Sequence, residues 1–141
     1  MNLTFKSKIS LADYLHLRQS ADFRDINKKR AKAGLKNSLF IIAAKYNRKT
    51  IGMARVIGDG GYIMLIADVM VLPEYQNMGV GTKIMEFLME RIHNSIEDGE
   101  GVAVYLMAAE GRENFYKRFG FTARPRDGLG AGMSQWIEDL G

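Results

Sequence analysis

The feature that most constrains the fold is a long apolar stretch, residues 62–72, in which Asp68 is the one charged residue. Its continuous apolarity predicts a strand that is buried on both faces. Pro73 follows directly and ends the strand, because proline cannot donate to a ladder. Burying a carboxylate in such a strand is costly unless it is paired or functional, so Asp68 is a candidate for either role.

The segment after Pro73 changes from strand to helix. Apolar residues recur at every fourth position: Val80, Ile84, Leu88 and Ile92. This spacing predicts an amphipathic helix, and residues 102–108 after it have the pattern of another strand. A strand, a helix and a strand in this order predict two parallel strands joined by a crossover helix.

Two helices are predicted in the N-terminal part. Ser10 can accept the N–H of Asp13 as a helix cap, and this helix is expected to run to about Ser20. A basic helix over residues 25–33 is expected to end at Gly34, because glycine suits a left-handed cap.

The remaining pattern predicts strands. Residues 38–46 and 50–57 are joined by a short turn, so they are expected to form an antiparallel hairpin and, with residues 62–72, a meander. Shorter elements are predicted at 3–6 (strand), 112–118 (helix), from 121 onward and at 133–137 (strands). The predicted fold class is α/β: one domain over residues 1–141, with a mixed, mostly antiparallel central sheet flanked by helices.

Composition excludes several classes of protein. The 141 residues include no cysteine, which rules out disulfides, thiolate metal sites and a cysteine nucleophile. No metal site is expected. No apolar run approaches the length of a membrane span, and the first residues lack a signal-peptide core. We therefore expect a cytoplasmic protein with no membrane partner.

Charge is unevenly distributed along the chain. Residues 1–50 hold twelve Lys or Arg against three Asp, whereas residues 51–141 hold eight against thirteen acidic residues. A basic segment can attract nucleic acid. Without interleaved aromatic residues or a recognised motif, it is interpreted as a solvated helix face, and no nucleic-acid partner is expected.

The stretch Gln-Asn-Met-Gly-Val-Gly-Thr, residues 76–82, lies between the buried strand and the amphipathic helix. Free amides at a helix start suit a phosphate or pyrophosphate. A P-loop is excluded because Thr82 precedes Lys83, and a dinucleotide fingerprint is excluded because its third glycine would fall on Ile84.

Two segments together resemble a known family. Residues 69–81, Val-Met-Val-Leu-Pro-Glu-Tyr-Gln-Asn-Met-Gly-Val-Gly, resemble the acetyl-CoA motif of the GNAT superfamily of N-acetyltransferases. Residues 115–121, Phe-Tyr-Lys-Arg-Phe-Gly-Phe, resemble the family's Phe-Tyr-x-x-x-Gly-Phe segment. The resemblance covers roughly residues 38–125 and is strongest to small bacterial members, with some similarity to plant-type serotonin N-acetyltransferases. It implies a β-α-β core that binds acetyl-CoA.

The resemblance also implies which residues bind acetyl-CoA. Amides of residues 78–82 would hold the pyrophosphate, and backbone groups at the strand end would hold the pantetheine arm. The implied set is Met70, Val71, Gln76, Asn77, Met78, Gly79, Val80, Gly81 and Thr82, with Asn114 from the later helix. A plain helix-start loop is the structural alternative.

Two side chains are candidates for proton transfer. Tyr116 would act as a general acid that protonates the leaving thiolate, and its alternative is a core tyrosine in an aromatic cluster. Asp68 would act as the base that deprotonates the amine, since an alkyl ammonium has a pKa of about 10.4. The alternative for Asp68 is a structural pair with Arg55.

The sequence therefore predicts an acetyl-CoA-dependent N-acetyltransferase acting on a primary amine of a small molecule. Transfer is expected to be direct, because no cysteine or serine elbow offers an acyl-enzyme. The alternatives are a non-catalytic acyl-CoA-binding module and a protein-lysine or N-terminal acetyltransferase. A homodimer is a further expectation.

Overall fold

The computed structural model describes residues 1–141. The five strands are β1 (Thr4–Lys6), β2 (Phe40–Tyr46), β3 (Lys49–Gly58), β4 (Ile63–Val71) and β5 (Ala103–Leu106). The four helices are α1 (Leu11–Ser20), α2 (Lys28–Asn37), α3 (Val80–Ser95) and α4 (Glu113–Lys117), with a 3-10 turn at Pro73–Tyr75. The chain divides into two compact units, residues 1–106 and 107–141. The prediction of one domain stays a prediction.

All five strands form one sheet in the order β1-β2-β3-β4-β5. Strands β1 to β4 are antiparallel neighbours, and β5 is parallel to β4. The predicted mixed, mostly antiparallel sheet and the parallel crossover through α3 are therefore confirmed. The predicted hairpin is confirmed as well, because Asn47 and Arg48 both adopt positive φ (49° and 65°), as a two-residue turn between β2 and β3 requires.

Helices α1 and α3 lie on opposite faces of this sheet. The Phe87 ring of α3 lies 4.4 Å from that of Phe5, and Ile84 approaches Gly52 from the same side. Arg55, three residues along β3, instead contacts the Tyr14 side chain of α1 and the Gly34 carbonyl oxygen of α2. Because side chains alternate along a strand, residues 52 and 55 point to opposite faces.

The prediction that β4 is buried on both faces is wrong. Met64, Ile66 and Met70 are buried, but the residues between them are only partly buried. Helices α1 and α3 both contact β4, one from each side of the sheet.

Helix α1 begins as predicted, with the Ser10 hydroxyl accepting the N–H of Asp13 at 3.1 Å. The predicted end of the basic helix at Gly34 is wrong, because α2 continues through Gly34 to Asn37. The Gly34 carbonyl accepts hydrogen bonds from Ser38 Oγ (2.8 Å) and Arg55 Nη1 (3.3 Å). Gly34 thus lies inside the helix with its carbonyl oxygen hydrogen-bonded to two side chains. The sequence alone indicates only that a glycine can adopt the left-handed conformation that ends a helix.

The second unit, residues 107–141, contains one regular element, α4. The strands predicted from 121 onward and at 133–137 are wrong, since the unit shows only an isolated bridge between Arg126 and Leu129. A strand is stable only where its backbone pairs with a neighbour, and Met133 and Ile137 remain largely exposed. No helix in the structure has both the length and the apolarity needed to span a bilayer.

Gly52 tests the packing of α3 on the sheet. A Cβ at this position would lie 2.9 Å from Ile84 Cδ1 and 2.9 Å from the Met70 carbonyl oxygen. The backbone oxygen cannot rotate away, so Gly52→Ala is expected to lower the free energy of unfolding by about 1–3 kcal/mol. The matched control is Gly101→Ala, where no atom lies within 4 Å and the change should stay within about 0.5 kcal/mol. Equal denaturant midpoints for the two variants would contradict this packing.

Candidate functional site

The loop between β4 and α3 presents an open helix N-terminus. Gly79 is the N-cap of α3 in a left-handed conformation (φ 82°), and Asn77 also has positive φ (62°). No side chain caps this helix, and a Cβ at Gly79 would meet no atom within 4 Å. The first N–H groups of a helix have no intrahelical acceptor, so those of Val80 and Gly81 are available to an anionic group.

One side chain joins this loop to the end of β4. Gln76 Nε2 donates a hydrogen bond to the Val71 carbonyl oxygen at 3.0 Å. Close by, the ring of Tyr75 packs edge-on against that of Tyr46, with centroids 5.9 Å apart. The loop is therefore held to the sheet at both of these points.

The end of β4 has an unpaired edge. Strand β5 pairs with β4 only from Ile63 to Ile66, although β4 continues to Val71. On the side of β4 that faces β3, Leu72 N donates to Ile51 O (2.8 Å). Hydrogen-bonded and non-hydrogen-bonded pairs alternate along antiparallel strands, so the next pair, Gly52 and Val71, has no mutual hydrogen bonds. In such a pair the backbone N–H and C=O of Val71 point away from β3, toward the open edge.

A β-bulge lies just before this edge. Met53 pairs with Met70 and Arg55 pairs with Ala67, so two residues of β4 oppose the single residue Ala54. The two residues are Asp68 and Val69, and Asp68 has positive φ (54°). Asp68 thus lies at the point where the strand changes register.

The carboxylate of Asp68 is held by three donors, and together the four side chains form the Asp68 cluster. Oδ2 accepts the Tyr14 hydroxyl and Arg55 Nε, each at 2.6 Å, and Oδ1 accepts Arg18 Nη1 at 3.0 Å. The side chains of Asp68, Arg18 and Arg55 are 8%, 13% and 14% exposed. Burial raises the pKa of the Tyr14 phenol, and the hydrogen bond to the Asp68 carboxylate raises it further.

The structure brings Asp68 and Arg55 together, which is the pairing that the sequence offered as the structural alternative. Sequence reasoning missed Tyr14 and Arg18. Their spacing on α1, four residues apart, places both on one helix face and was the available signal. The catalytic role of Asp68 stays a prediction.

Tyr116 belongs to the second unit, where it is the buried residue of α4. Its ring packs edge-on against Phe115 (5.0 Å between centroids) and Phe121 (6.4 Å). Its hydroxyl makes no hydrogen bond to the protein and is not sealed from solvent. Burial raises the pKa of the phenol, and the positive charge of Arg112 offsets part of that rise. Asn114, on the same helix, is exposed.

Comparison with known proteins places these features in a family. A family model described as an acetyltransferase (GNAT) domain matches residues 36–123. The chain is 32% identical over 105 residues to an uncharacterized N-acetyltransferase, ycf52, of Pyropia yezoensis, covering 72% of this chain and 58% of that protein. It is 31% identical over 94 residues to the chloroplastic GCN5-related N-acetyltransferase 1 of Arabidopsis thaliana, covering 66% and 45%. The chain thus spans about half of the length of these relatives.

A relative named for its substrate and two solved structures extend this similarity. The chloroplastic serotonin N-acetyltransferase 2 of rice is 33% identical over 78 residues, covering 55% of this chain and 36% of that protein. A Staphylococcus aureus protein described as a probable acetyltransferase has a TM-score of 0.84 and 34% identity, covering 96% of this chain and all of that one. A GNAT-family acetyltransferase of Streptococcus pneumoniae has a TM-score of 0.74 and 27% identity, covering 97% of each chain.

Removing the charge of Asp68 should destabilise the protein strongly. Asparagine tolerates positive φ, so Asp68→Asn mainly leaves Arg18 and Arg55 without their carboxylate. Breaking a buried pair from one side costs about 3 kcal/mol or more, which chemical denaturation would measure. The control is Glu86→Gln, which removes an exposed pair with Lys83 (3.6 Å) and should cost below about 0.5 kcal/mol. Similar losses in both variants would contradict the buried character of the cluster.

Proposed function

Because the chain belongs to the GNAT family of acetyltransferases, we propose that it is an acetyl-CoA-dependent N-acetyltransferase acting on a primary amine of a small molecule. The observation that carries the proposal is the arrangement at the end of β4. An unpaired strand edge at Val71 leads directly into a loop that leaves the N-terminus of α3 open. The strand edge thus offers backbone hydrogen-bonding groups to the pantetheine arm of acetyl-CoA, and the adjacent N-terminus of α3 offers backbone amides to its phosphates.

The proposed contacts with acetyl-CoA use mainly the backbone. The amides of residues 78–82, which are Met78, Gly79, Val80, Gly81 and Thr82, hold the pyrophosphate, and Gln76 and Asn77 lead into this loop. Backbone groups at the open edge of β4, around Val71, hold the pantetheine arm, and the Val71 carbonyl oxygen also accepts Gln76 Nε2. The backbone groups of Met70 face β3 in the ladder and its side chain lies in the core, so Met70 is proposed to hold the strand end in place beside the arm. Asn114 is proposed as a further contact from α4.

The proposed reaction is a direct transfer. The amine nitrogen attacks the thioester carbonyl, a C–N bond forms and the C–S bond breaks. A backbone amide near Val71 stabilises the negative charge on the carbonyl oxygen. The sulfur leaves as a thiolate, and Tyr116 donates a proton to it as general acid. The ammonium proton of the amine is lost to a base or to water. No cysteine is present to carry the acetyl group on the chain.

The acceptor, the oligomeric state and the compartment are proposals of the same kind. A small-molecule amine is proposed as acceptor, and neither nucleic acid nor a membrane is part of the proposed reaction. A homodimer and a cytoplasmic location stay predictions, and the Arabidopsis and rice relatives are themselves named chloroplastic.

A panel of amines tests the proposed function. The protein would be mixed with acetyl-CoA and with polyamines, arylalkylamines, amino acids, a lysine-containing peptide and a peptide with a free N-terminus. We expect thiol release with a small primary amine, and an equal amount of acetylated amine by mass spectrometry. Acetyl-CoA binding without release from any amine would indicate a non-catalytic module. Release with the peptides alone would indicate a protein acetyltransferase.

Tyr116→Phe tests the general acid in that assay. Removing the phenol is expected to lower kcat by about 10²-fold or more, because proton donation to the leaving group typically contributes that much. Binding of acetyl-CoA should change little. Tyr105→Phe, at a half-exposed position of β5, is the matched control and should retain full turnover. Equal kcat in the two variants would remove Tyr116 from the mechanism.

The pH dependence gives a second test of Tyr116. A general acid works while it is protonated, and burial moves the pKa of this phenol upward from its ordinary value. Since a tyrosine titrates near pH 10 in water, Tyr116 should cause no decline of kcat at pH values below about 10. A decline centred at lower pH that disappears in Tyr116→Phe would contradict the raised pKa.

A further inference from the structure

The bulge in β4 decides which backbone groups face the open strand edge. It adds one residue to β4 between the pairs Arg55–Ala67 and Met53–Met70. Backbone groups alternate in direction along a strand. If all residues of β4 paired regularly with β3 from Ala67 onward, without a bulge, Val71 would lie opposite Ile51 and turn its N–H and C=O toward β3, and Met70 would turn toward the open edge. Side chains would exchange faces as well. The identity of the amide presented at this edge therefore depends on the bulge.

Asp68 supplies the unusual conformation that the bulge contains. Its φ of 54° is left-handed, although both neighbours belong to a strand. Residues other than glycine rarely adopt this conformation, and aspartate and asparagine tolerate it better than most. The residue type thus fits the position, but this preference alone is weak.

The side chain of Asp68 adds a second restraint. Both carboxylate oxygens are occupied by donors from outside β4: Tyr14 and Arg18 of α1, and Arg55 of β3. Arg18 also donates to the Arg24 carbonyl oxygen at 2.8 Å. The carboxylate is therefore tied to helix α1 and to the neighbouring strand at the same time.

The same contacts argue against a free base. Three of the about four acceptor positions of the carboxylate are taken by Tyr14, Arg18 and Arg55, and accepting a proton would remove the negative charge that both guanidinium groups pair with. Each of the two ion pairs is short and largely buried, and leaving a buried guanidinium unpaired is costly. A carboxylate in this setting is suited to hold its own backbone in place.

We propose that Asp68 is a positioning residue, which fixes the bulge and thereby aims a backbone amide of β4 near Val71 at the acetyl carbonyl oxygen. Tyr14 acts through Asp68 and is a positioning residue in the same sense. The inference rests on the proposed acetyl transfer and deepens it. It assigns to Asp68 the placement of a hydrogen-bond donor, in place of the removal of a proton.

The carbonyl stretch of bound acetyl-CoA tests this directly, since it needs no acceptor amine. Acetyl-CoA labelled with ¹³C at the carbonyl carbon would be bound to the intact protein and measured by infrared difference spectroscopy. A donor aimed at the oxygen polarises the C=O bond, so wild type is expected to show a lower frequency than free acetyl-CoA. In Asp68→Asn the frequency should return toward the free value, with a Kd for acetyl-CoA within about threefold of wild type.

Turnover should follow the spectroscopic change. Loss of one such donor typically lowers kcat by about 10²-fold, and we expect that for Asp68→Asn. Tyr14→Phe removes one hydrogen bond but leaves both ion pairs in place, and a smaller loss of about tenfold is expected. Asp98→Asn, in the exposed turn after α3, is the control and should match wild type in frequency and kcat.

The test remains valid if Asp68→Asn unfolds, because one further variant and Tyr14→Phe also perturb the Asp68 cluster. The double variant Asp68→Asn/Arg18→Gln removes one of the two unpaired cations, and Tyr14→Phe keeps all charges. Circular dichroism would show which variants are folded, and only folded variants are compared. In each of them the positioning role requires a carbonyl frequency closer to the free value.

The outcomes separate this inference from the proposed function. If wild type binds no acetyl-CoA, the proposed function fails and the inference fails with it. If wild type binds acetyl-CoA and folded Asp68 variants keep the wild-type carbonyl frequency, the positioning role is overturned and the proposed function stands. A loss of kcat with an unchanged frequency, together with loss of the acidic limb of the pH profile, would identify Asp68 as the base.

Discussion

The interaction on which the first unit depends is the pairing of one carboxylate with two guanidinium groups. Asp68 lies on β4, Arg55 on β3 and Arg18 on α1, so a single side chain ties two strands to the helix that covers them. Arg55 extends the connection to α2 through the Ser38 hydroxyl (3.2 Å) and the Gly34 carbonyl. Because the charges are largely buried, removing any one of them would strongly lower the free energy of unfolding. The elements are therefore fixed together around the bulge.

The proposed chemistry relies on backbone groups that regular structure leaves unused. Beyond Ile66, β4 has no partner strand on one side, and the N-terminus of α3 has no side-chain cap. Both are places where polar backbone groups require partners from outside the element. Backbone recognition of this kind constrains the path of the chain more than the identity of its side chains. It explains how members of one family can resemble each other in a short motif and differ widely elsewhere.

Much of the fold could be predicted because its signals are local. The Ser10 cap, the turn at Asn47 and the helical spacing from Val80 each depend on neighbours in the sequence, and each is confirmed. The predictions that were wrong concern segments whose structure depends on contacts with residues far away in the sequence. Gly34 lies inside α2, where its carbonyl accepts a hydrogen bond from Arg55, 21 residues further along the chain, and the apolar residues near 133–137 form no strand because no strand pairs with them.

The sequence by itself determined the family, the order of the elements and the glycine-containing loop before α3. It also marked Asp68 as exceptional, because a charge in an apolar strand requires an explanation whatever the fold. Only the tertiary structure decided which donors surround Asp68, that the strand contains a bulge there, and that Val71 faces an open edge. These depend on residues far apart in the chain, Tyr14 and Arg18 among them. Strand register is set by which side chains find partners across the sheet, and no local pattern contains that information.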